Sequence, residues 1–305
     1  MIKDLKDGSS ADGQYLVKDA TKGVTTTGLN YLNITLQDSS GTIEAKKWDI
    51  SKNDLEIFAN GNFIKVQGDV NLYRNSLQVK VYGGSLLDKG SINKENFVIC
   101  GPTSFEDLKK KFDYYLDSIK DLDCKAILNE IFNEKLEGFL EYPAAVTFHH
   151  EFYHGLLHHS LGMCDVAEGL TKLYTLNRDL LITGCLLHDI GKLEEFSGVI
   201  GTSYTKEGSL LGHIHMGASL VNSVAKKLNI TSNIPLLLEH MILSHHGKLE
   251  FGAVVVPSTK EAFVLSLIDE LDSKMMVIDK AYKNVKSGDF TDRIYALDGT
   301  RYFKD

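Results

Sequence analysis

Residues 181–192, LITGCLLHDIGK, decide the fold of most of this chain. An apolar run leads into a histidine, an aspartate and a glycine, so a buried helix ends on two polar side chains, His188 and Asp189. An imidazole and a carboxylate left beside Leu186, Leu187 and Ile190 cost on the order of 2–7 kcal/mol per unpaired polar group, and more for a charge. A divalent cation would satisfy both. A helix C-terminus also accounts for the pair, with the histidine favoured by the dipole, Asp189 capped locally and Gly191 as a left-handed stop. Taken alone the pair fits that second reading, so its surroundings must decide.

Upstream, HGLLHHSLGMCDVAEGL (154–170) carries Leu157, Leu161 and Cys164 at three- and four-residue steps, which predicts a helix with His158 and His159 near its start. Downstream stand His213 in GHIHMGASLV (212–221), His245 and His246 in LSHHGK (243–248), and Asp269 in VLSLIDELDSK (264–274). Of eleven histidines, six fall between positions 154 and 215, and three more (240, 245, 246) follow closely. Surface histidines scatter; these do not. Nitrogen and carboxylate donors without paired thiols suit Mn²⁺, Fe²⁺, Co²⁺ or Zn²⁺. The four cysteines (100, 124, 164, 185) contain no CxxC pair, which argues against a structural zinc ribbon. Two divalent ions about 3.5–4 Å apart would clamp a phosphodiester, activating water and stabilising the developing charge. Asp189, the central carboxylate, is the natural bridge.

His159, then His188-Asp189, then Asp269 resemble the H…HD…D pattern of the HD superfamily of metal-dependent phosphohydrolases. His213, His245 and His246 resemble the additional histidines of its two-metal members, and the resemblance spans roughly residues 150–280. It implies that His159, His188, Asp189 and Asp269 hold a first metal, with Asp189 bridging, and that His213, His245 and His246 hold a second. Mn²⁺ is the first expectation, with Co²⁺, Fe²⁺ or Zn²⁺ as the others. Lys192 resembles the lysine these enzymes direct at the scissile phosphate; a solvated helix-end cation is the alternative. Asp272, one helical turn after Asp269, either orients a ligand or lies at the surface, and joins Asp189 and Lys192 as a catalytic candidate. His149, His150, His154, His158, His215 and His240 stay outside the metal set. His158 points about 100° away from His159 on a helix, toward solvent or substrate, and His215 falls almost opposite His213.

With 305 residues and 43% hydrophobic content, two domains with real cores are expected. No apolar run approaches eighteen residues and MIKDLKDGSSADG (1–13) has no basic-then-apolar pattern, so neither a membrane span nor a signal peptide is expected. The unpatterned cysteines fit a reducing cytoplasm. A net charge of −8 is not the footprint of nucleic-acid binding through bulk electrostatics. Bound cations would offset part of it locally.

Residues 1–88 alternate apolar and polar positions in YLVKDA, YLNITLQD, TIEAKKWD, FIKVQGDV and SLQVKVYG, with DSSG (38–41) and NG (60–61) as turn signals. Five short strands predict a small closed barrel. The progression from YLVKDATKGVTTTGLNYLNITLQDSSGTIEAKKWD to GNFIKVQGDV resembles the nucleic-acid-binding OB modules of the tRNA-anticodon type, which stack bases on aromatics along a mildly basic face. Tyr31, Trp48, Lys46, Lys65 and Arg74 are the nucleic-acid-binding candidates, with Phe63, Tyr73, Lys47 and Lys80 nearby. Trp48 fits either base stacking or the barrel's interior. Residues 1–88 carry ten Lys/Arg against eleven Asp/Glu, so only a local patch is basic, and a protein-binding barrel stays open.

Residues 89–143 read as a helical connector: Ser104 to Asp107 resembles a capping box, and Leu108, Phe112, Tyr115, Leu116, Ile119 and Leu122 recur at helical spacing. The lysine run 109–111 reads as a solvated face. The HD domain is expected over 144–280 and a C-terminal tail over 281–305, where Arg293 and Arg301 read as surface arginines. The fold class is therefore multidomain α and β, a five-stranded OB-type barrel followed by an all-α helical bundle. That combination resembles the bacterial YhaM family of 3′-5′ exoribonucleases, with one departure: Leu29 stands where these barrels often carry a lysine after the glycine of TTxxGxxY. The resemblance implies a metal-dependent hydrolase that shortens single-stranded RNA, and single-stranded DNA as a second substrate, from the 3′ end to nucleoside 5′-monophosphates. An HD-type nucleotide or cyclic-dinucleotide phosphohydrolase and a non-catalytic single-strand-binding protein are the alternatives. The oligomeric state, a homo-oligomer included, is not legible in the residues.

Overall fold

The computed structural model describes residues 1–88, 90, 92–144, 152–199 and 202–305, so His149 and His150 lie outside the described residues. The chain forms two compact units, one built on Met1–Cys100 and one on Gly101–Val199 with Ser203–Asp305.

In the first unit, β1 (Gly13–Val24), β2 (Asn30–Asp38), β3 (Gly41–Trp48), β4 (Phe63–Tyr73) and β5 (Ser76–Leu86) close into a barrel in the order β1-β2-β3-β5-β4. Only β3 and β5 pair in parallel. This closed Greek-key order is that of an OB-type barrel, in which no sheet edge is left open. Strand alternation builds it: Ile64, Val66 and Val70 of β4 are buried while Lys65, Gln67 and Asp69 between them are exposed. Between β3 and β4 lies a short helix, α1 (Lys52–Ile57), that strand periodicity does not reveal. A reciprocal capping box starts it: Ser51 Oγ accepts from Asp54 N at 3.1 Å, and the Asp54 carboxylate accepts from Ser51 N at 2.8 Å. The Asn60-Gly61 turn therefore follows a helix instead of joining two strands. The tight hairpin is Arg74-Asn75 between β4 and β5, where both residues take positive φ (49° and 65°).

The second unit is helical: α2 (Phe105–Ser118), α3 (Leu122–Glu141), α4 (Gly155–Thr171), α5 (Arg178–Leu187), α6 (Lys192–Glu195), α7 (Lys206–Lys227), α8 (Ile234–Ser244) and α9 (Lys260–Tyr282). Ser104, Asp121 and Asn177 cap α2, α3 and α5 with side-chain oxygens. The stretch read from sequence as a connector shares its core with the helices that follow: Phe112, Ile127 and Phe139 pack in one cluster with Leu156, Leu181, Leu186, Val221, Leu238 and Leu265. Every residue of α5 from Leu180 to Leu187 is buried. The apolar run is thus a central helix whose C-terminal end delivers His188 and Asp189 into the interior. After α9 the chain forms a two-stranded ribbon, β6 (Asp289–Phe290) with β7 (Phe303–Lys304), and Arg301 donates to Thr291 O at 2.9 Å. Among the described residues no helix is long and apolar enough to cross a membrane.

Candidate metal centre and nucleic-acid face

Five elements converge on Asp189. α5 ends at Leu187, His188 caps it, and Asp189 lies in the turn before α6, with relative exposures of 0% and 3% for the two residues. Gly191 does not act as a left-handed stop; its φ is −64°. Its reason is close approach, since a Cβ there would lie 2.0 Å from His213 O and 2.7 Å from Gly217 N. The bare backbone lets α6 and α7 touch, and so brings His213 beside Asp189. α7 itself kinks at Gly212 (φ 72°, ψ 153°), a conformation favourable only to glycine, which turns His213 inward.

The two oxygens of Asp189 face different histidines. Oδ2 lies 3.3 Å from His188 Nε2 and 4.0 Å from His159 Nε2; Oδ1 lies 3.5 Å from His213 Nε2 and 3.7 Å from His245 Nε2. Two groups of donor atoms, His159–His188–Asp189 and His213–His245–His246, each fall within 4.8 Å of one another. Asp269 adds a carboxylate 3.2 Å from His159 Nε2.

The outer nitrogens of four of these rings are tied down. His159 Nδ1 donates to Asp272 Oδ2 at 2.6 Å, His188 Nδ1 to Cys185 O at 2.9 Å, His213 Nδ1 to Glu195 Oε1 at 3.1 Å, and His245 Nδ1 to Ile242 O at 2.6 Å. With Nδ1–H committed outward, each Nε2 turns inward, the arrangement that a histidine ligand takes from its supporting shell. Asp189 Oδ1 and His213 Nε2 are buried and have no hydrogen-bond partner among the described residues. A buried acceptor is not normally left so. The nitrogen and carboxylate donors fit a divalent cation.

The charges agree. Burial works against an ionised Asp189, yet the Lys192 ammonium and the imidazoles of His188 and His213 hold its carboxyl well below the usual range. Asp269 is likewise held low against burial, by His159 and His188. His159 resists the pull of burial and is pushed up to about 10 by its bonds to Asp269 and Asp272. His245, buried beside His188, is pushed down to about 3 and is neutral.

Lys192 is not a solvated cation: it is 9% exposed, and Nζ donates to Asp189 Oδ2 at 2.6 Å. The carboxylate of Asp272, a catalytic candidate from the sequence, accepts from His159 Nδ1 at 2.6 Å. His158 is half-buried near Thr103 and His215 is exposed near Ser219. His240 Nε2 accepts from Ser258 N. Lys109 pairs with Asp113 and Lys111 with Asp165, as a solvated face would. Glu195 escaped the sequence reading altogether. Its carboxylate accepts from both the backbone and the ring of His213, and nothing in HDIGKLEE distinguishes it from Glu194.

On the barrel the structure brings together three of the five candidates. Tyr31 and Trp48 are cross-strand partners with ring centroids 4.9 Å apart, and Lys46 Nζ lies 5.2 and 5.4 Å from the two rings. Trp48 is 43% exposed, so it faces outward and not into the core. Lys47 points inward and pairs with Asp54. Lys65 sits opposite Gln14 and Ser85, and Arg74 occupies the hairpin turn over Tyr73, so neither joins this cluster. Lys80, paired in register with Lys46, and the exposed Tyr82 extend the outward face along β5. The alternation in SLQVKVYG marks Tyr82 as outward, a signal readable only once β5 is known to lie beside β3.

Residues 156–274 match the HD domain family. The chain is 40% identical over 97% of its length to the 3′-5′ exoribonuclease YhaM of Geobacillus sp. (strain WCH70), covering 92% of that protein. It is 38% identical, again over 97% of its length, to the 3′-5′ exoribonuclease YhaM of Bacillus subtilis (strain 168), covering 95% of it. Among solved structures, 30% of the chain is similar to the second OB-fold domain of replication protein A from Methanococcus maripaludis, at 21% identity, 97% coverage of that domain and a TM-score of 0.25. With 40% and 38% identity over 97% of its length to two such enzymes, and an HD domain match over the residues that gather around Asp189, the chain belongs to the YhaM family of 3′-5′ exoribonucleases.

Proposed function

We propose that this chain removes nucleotides one at a time from the 3′ end of single-stranded RNA, releasing nucleoside 5′-monophosphates, with single-stranded DNA as a secondary substrate. The observation that carries the reading is the division of Asp189, one oxygen toward His159 and His188 and the other toward His213 and His245. His159, His188, Asp189 and Asp269 would hold one divalent cation, and His213, His245 and His246, with Asp189 between, would hold a second. Mn²⁺ is our first choice for both. When bound, such a pair supplies Lewis acidity, activating water at neutral pH and stabilising both oxygens of an in-line displacement.

The chain's own residues do the rest. Lys192 lines the cavity beside Asp189, which supports its assignment to a non-bridging phosphate oxygen. Asp272 and Glu195 fix the rings of His159 and His213. The buried Leu186, Leu187 and Ile190 exclude bulk water, which strengthens every charge interaction in the site. On the barrel, Tyr31 and Trp48 offer stacking surfaces for bases and Lys46 a charge for the backbone, a combination suited to single strands. Lys65 and Arg74 would contact the strand elsewhere along the barrel. The relatives' shared name supports the 3′-5′ direction and the RNA substrate. Cys100, Cys124, Cys164 and Cys185 are all free, which supports a cytoplasmic setting.

The test is digestion of 5′-labelled single-stranded RNA by the purified protein with Mn²⁺. A ladder of single-nucleotide steps and released 5′-monophosphates is expected, abolished by chelator and by Asp189→Asn. Turnover of small nucleotides beside intact RNA, or retained RNA degradation by the Asp189 variant, would overturn the proposal.

A further inference from the structure

Phe251 is an aromatic ring at the mouth of the metal centre that nothing in the hydrolytic chemistry requires. It lines a cavity of about 240 Å³ together with Asp189, Lys192, His245, His246 and Asp269. That volume lies just below the ~300–1,000 Å³ of drug-sized ligand sites. The ring is 57% exposed, so its face is open to a ligand in the cavity.

Its position is set by the ligand-bearing segment itself. The chain runs from His245 and His246 at the end of α8 directly into a 3₁₀ turn, Leu249–Phe251. Hydrogen bonds tie that turn back: Phe251 N donates to Lys248 O at 3.0 Å, Ala253 N to Lys248 O at 3.1 Å, and Val254 N to Leu243 O at 2.9 Å. Gly252 packs so closely that a Cβ there would stand 3.3 Å from His246 Nδ1. The ring is therefore held by the same backbone that positions two of the histidines. Lys248 Nζ lies 5.0 Å from its centroid, which places a positive charge beside an aromatic face.

We propose that Phe251 is the stacking platform for the base of the 3′-terminal nucleotide, and that Lys248 supports it from the same turn. The inference rests on the nuclease reading above and adds to it a base subsite next to the reacting phosphate. Every base has a π-face, so a phenyl platform accepts all four and positions the terminal phosphate without reading sequence. The subsite thus suits an enzyme that must pass every nucleotide of a strand.

The test compares substrates with and without a terminal base. With Mn²⁺ present, the unaltered protein should cleave RNA ending in a normal nucleotide with kcat/KM about tenfold above the same RNA ending in an abasic residue. Phe251→Ala should lose that preference, Phe251→Trp should keep it, and both should cleave the abasic-ended strand as the unaltered protein does. Calorimetry supplies a readout independent of turnover: adenosine 5′-monophosphate should bind about tenfold tighter than ribose 5-phosphate, and Phe251→Ala should remove the difference. Equal losses on both strand ends, or an unchanged nucleotide preference in Phe251→Ala, would overturn the base subsite while leaving the nuclease reading intact. Failure of the unaltered protein to shorten any RNA, beside a normal calorimetric preference, would overturn the nuclease reading and leave the subsite standing.

Discussion

The two carboxylates behind the metal centre can be removed one at a time, and the geometry predicts that each removal damages a different site. Asp272 accepts a 2.6 Å bond from His159 Nδ1, a ring of the first group. Glu195 accepts two 3.1 Å bonds from His213, one from its ring and one from its backbone N–H. A hydrogen bond to a charged group contributes about 1.5–3 kcal/mol, and loss of such a supporting carboxylate weakens metal binding by about 10–100-fold. Asp272→Asn replaces a short charge-assisted bond and should fall toward the upper end of that range. Both bonds to Glu195 end on Oε1, so Glu195→Gln keeps one amide oxygen able to accept both and loses only the charge, and a loss nearer tenfold is expected. Calorimetric titration of metal-free protein with Mn²⁺ should resolve two binding events. Asp272→Asn should weaken only the event assigned to His159, His188, Asp189 and Asp269, and Glu195→Gln only the other. A like decline at both sites in either variant, or a single binding event throughout, would refute the division of Asp189 between two cations.

Mn²⁺ affinity at the His159 site should rise with pH, because His159 holds a proton up to about 10 that a cation must displace; the limit is about tenfold per unit for one proton, read as proton release in buffers of differing ionisation enthalpy. His245, neutral down to about 3, adds no such slope at neutral pH. In metal-free protein the sign for stability is the reverse: His159 is raised above its ordinary 6.5, so its contribution is complete below that value and is lost as pH rises through about 10, visible as a lower urea midpoint. Gly191→Ala places a methyl 2.0 Å from His213 O and should cost at least the ~1–3 kcal/mol of an overpacked core, measured by thermal unfolding; an unchanged melting temperature contradicts the close-approach argument. Trp48→Ala should weaken binding of a long RNA by about 1–3 kcal/mol, the value of one stacked base, with metal affinity unchanged; fluorescence anisotropy that shows no loss removes the barrel face from the binding surface.

What one dimension shows of this protein follows from how local each signal is. His188 and Asp189 stand out because a polar pair at the end of an apolar helix is visible in ten adjacent letters, and β1 to β5 because alternation has a period of two. The choice between Glu194 and Glu195 is different in kind. It depends on which side of α6 faces α7, and that is set by the contact at Gly191 and the kink at Gly212, two backbone events without a periodic trace. The barrel repeats the lesson. Lys65 and Arg74 are as basic as Lys46, but only closure of β3 against β5 decides which cations share a face with Tyr31 and Trp48. That parallel pairing joins segments separated by all of α1 and β4, and it selects Lys80 and Tyr82, which composition ranks no higher than their neighbours. α1 leaves no such trace because its 6 residues are too few to show a helical period, although Ser51 and Asp54 stand at capping-box spacing. Ligand identity is therefore readable where chemistry forces an unfavourable residue into an apolar run. The supporting carboxylates and the binding face are set by which surfaces meet, and the substitutions at Asp272, Glu195 and Trp48 probe that second layer.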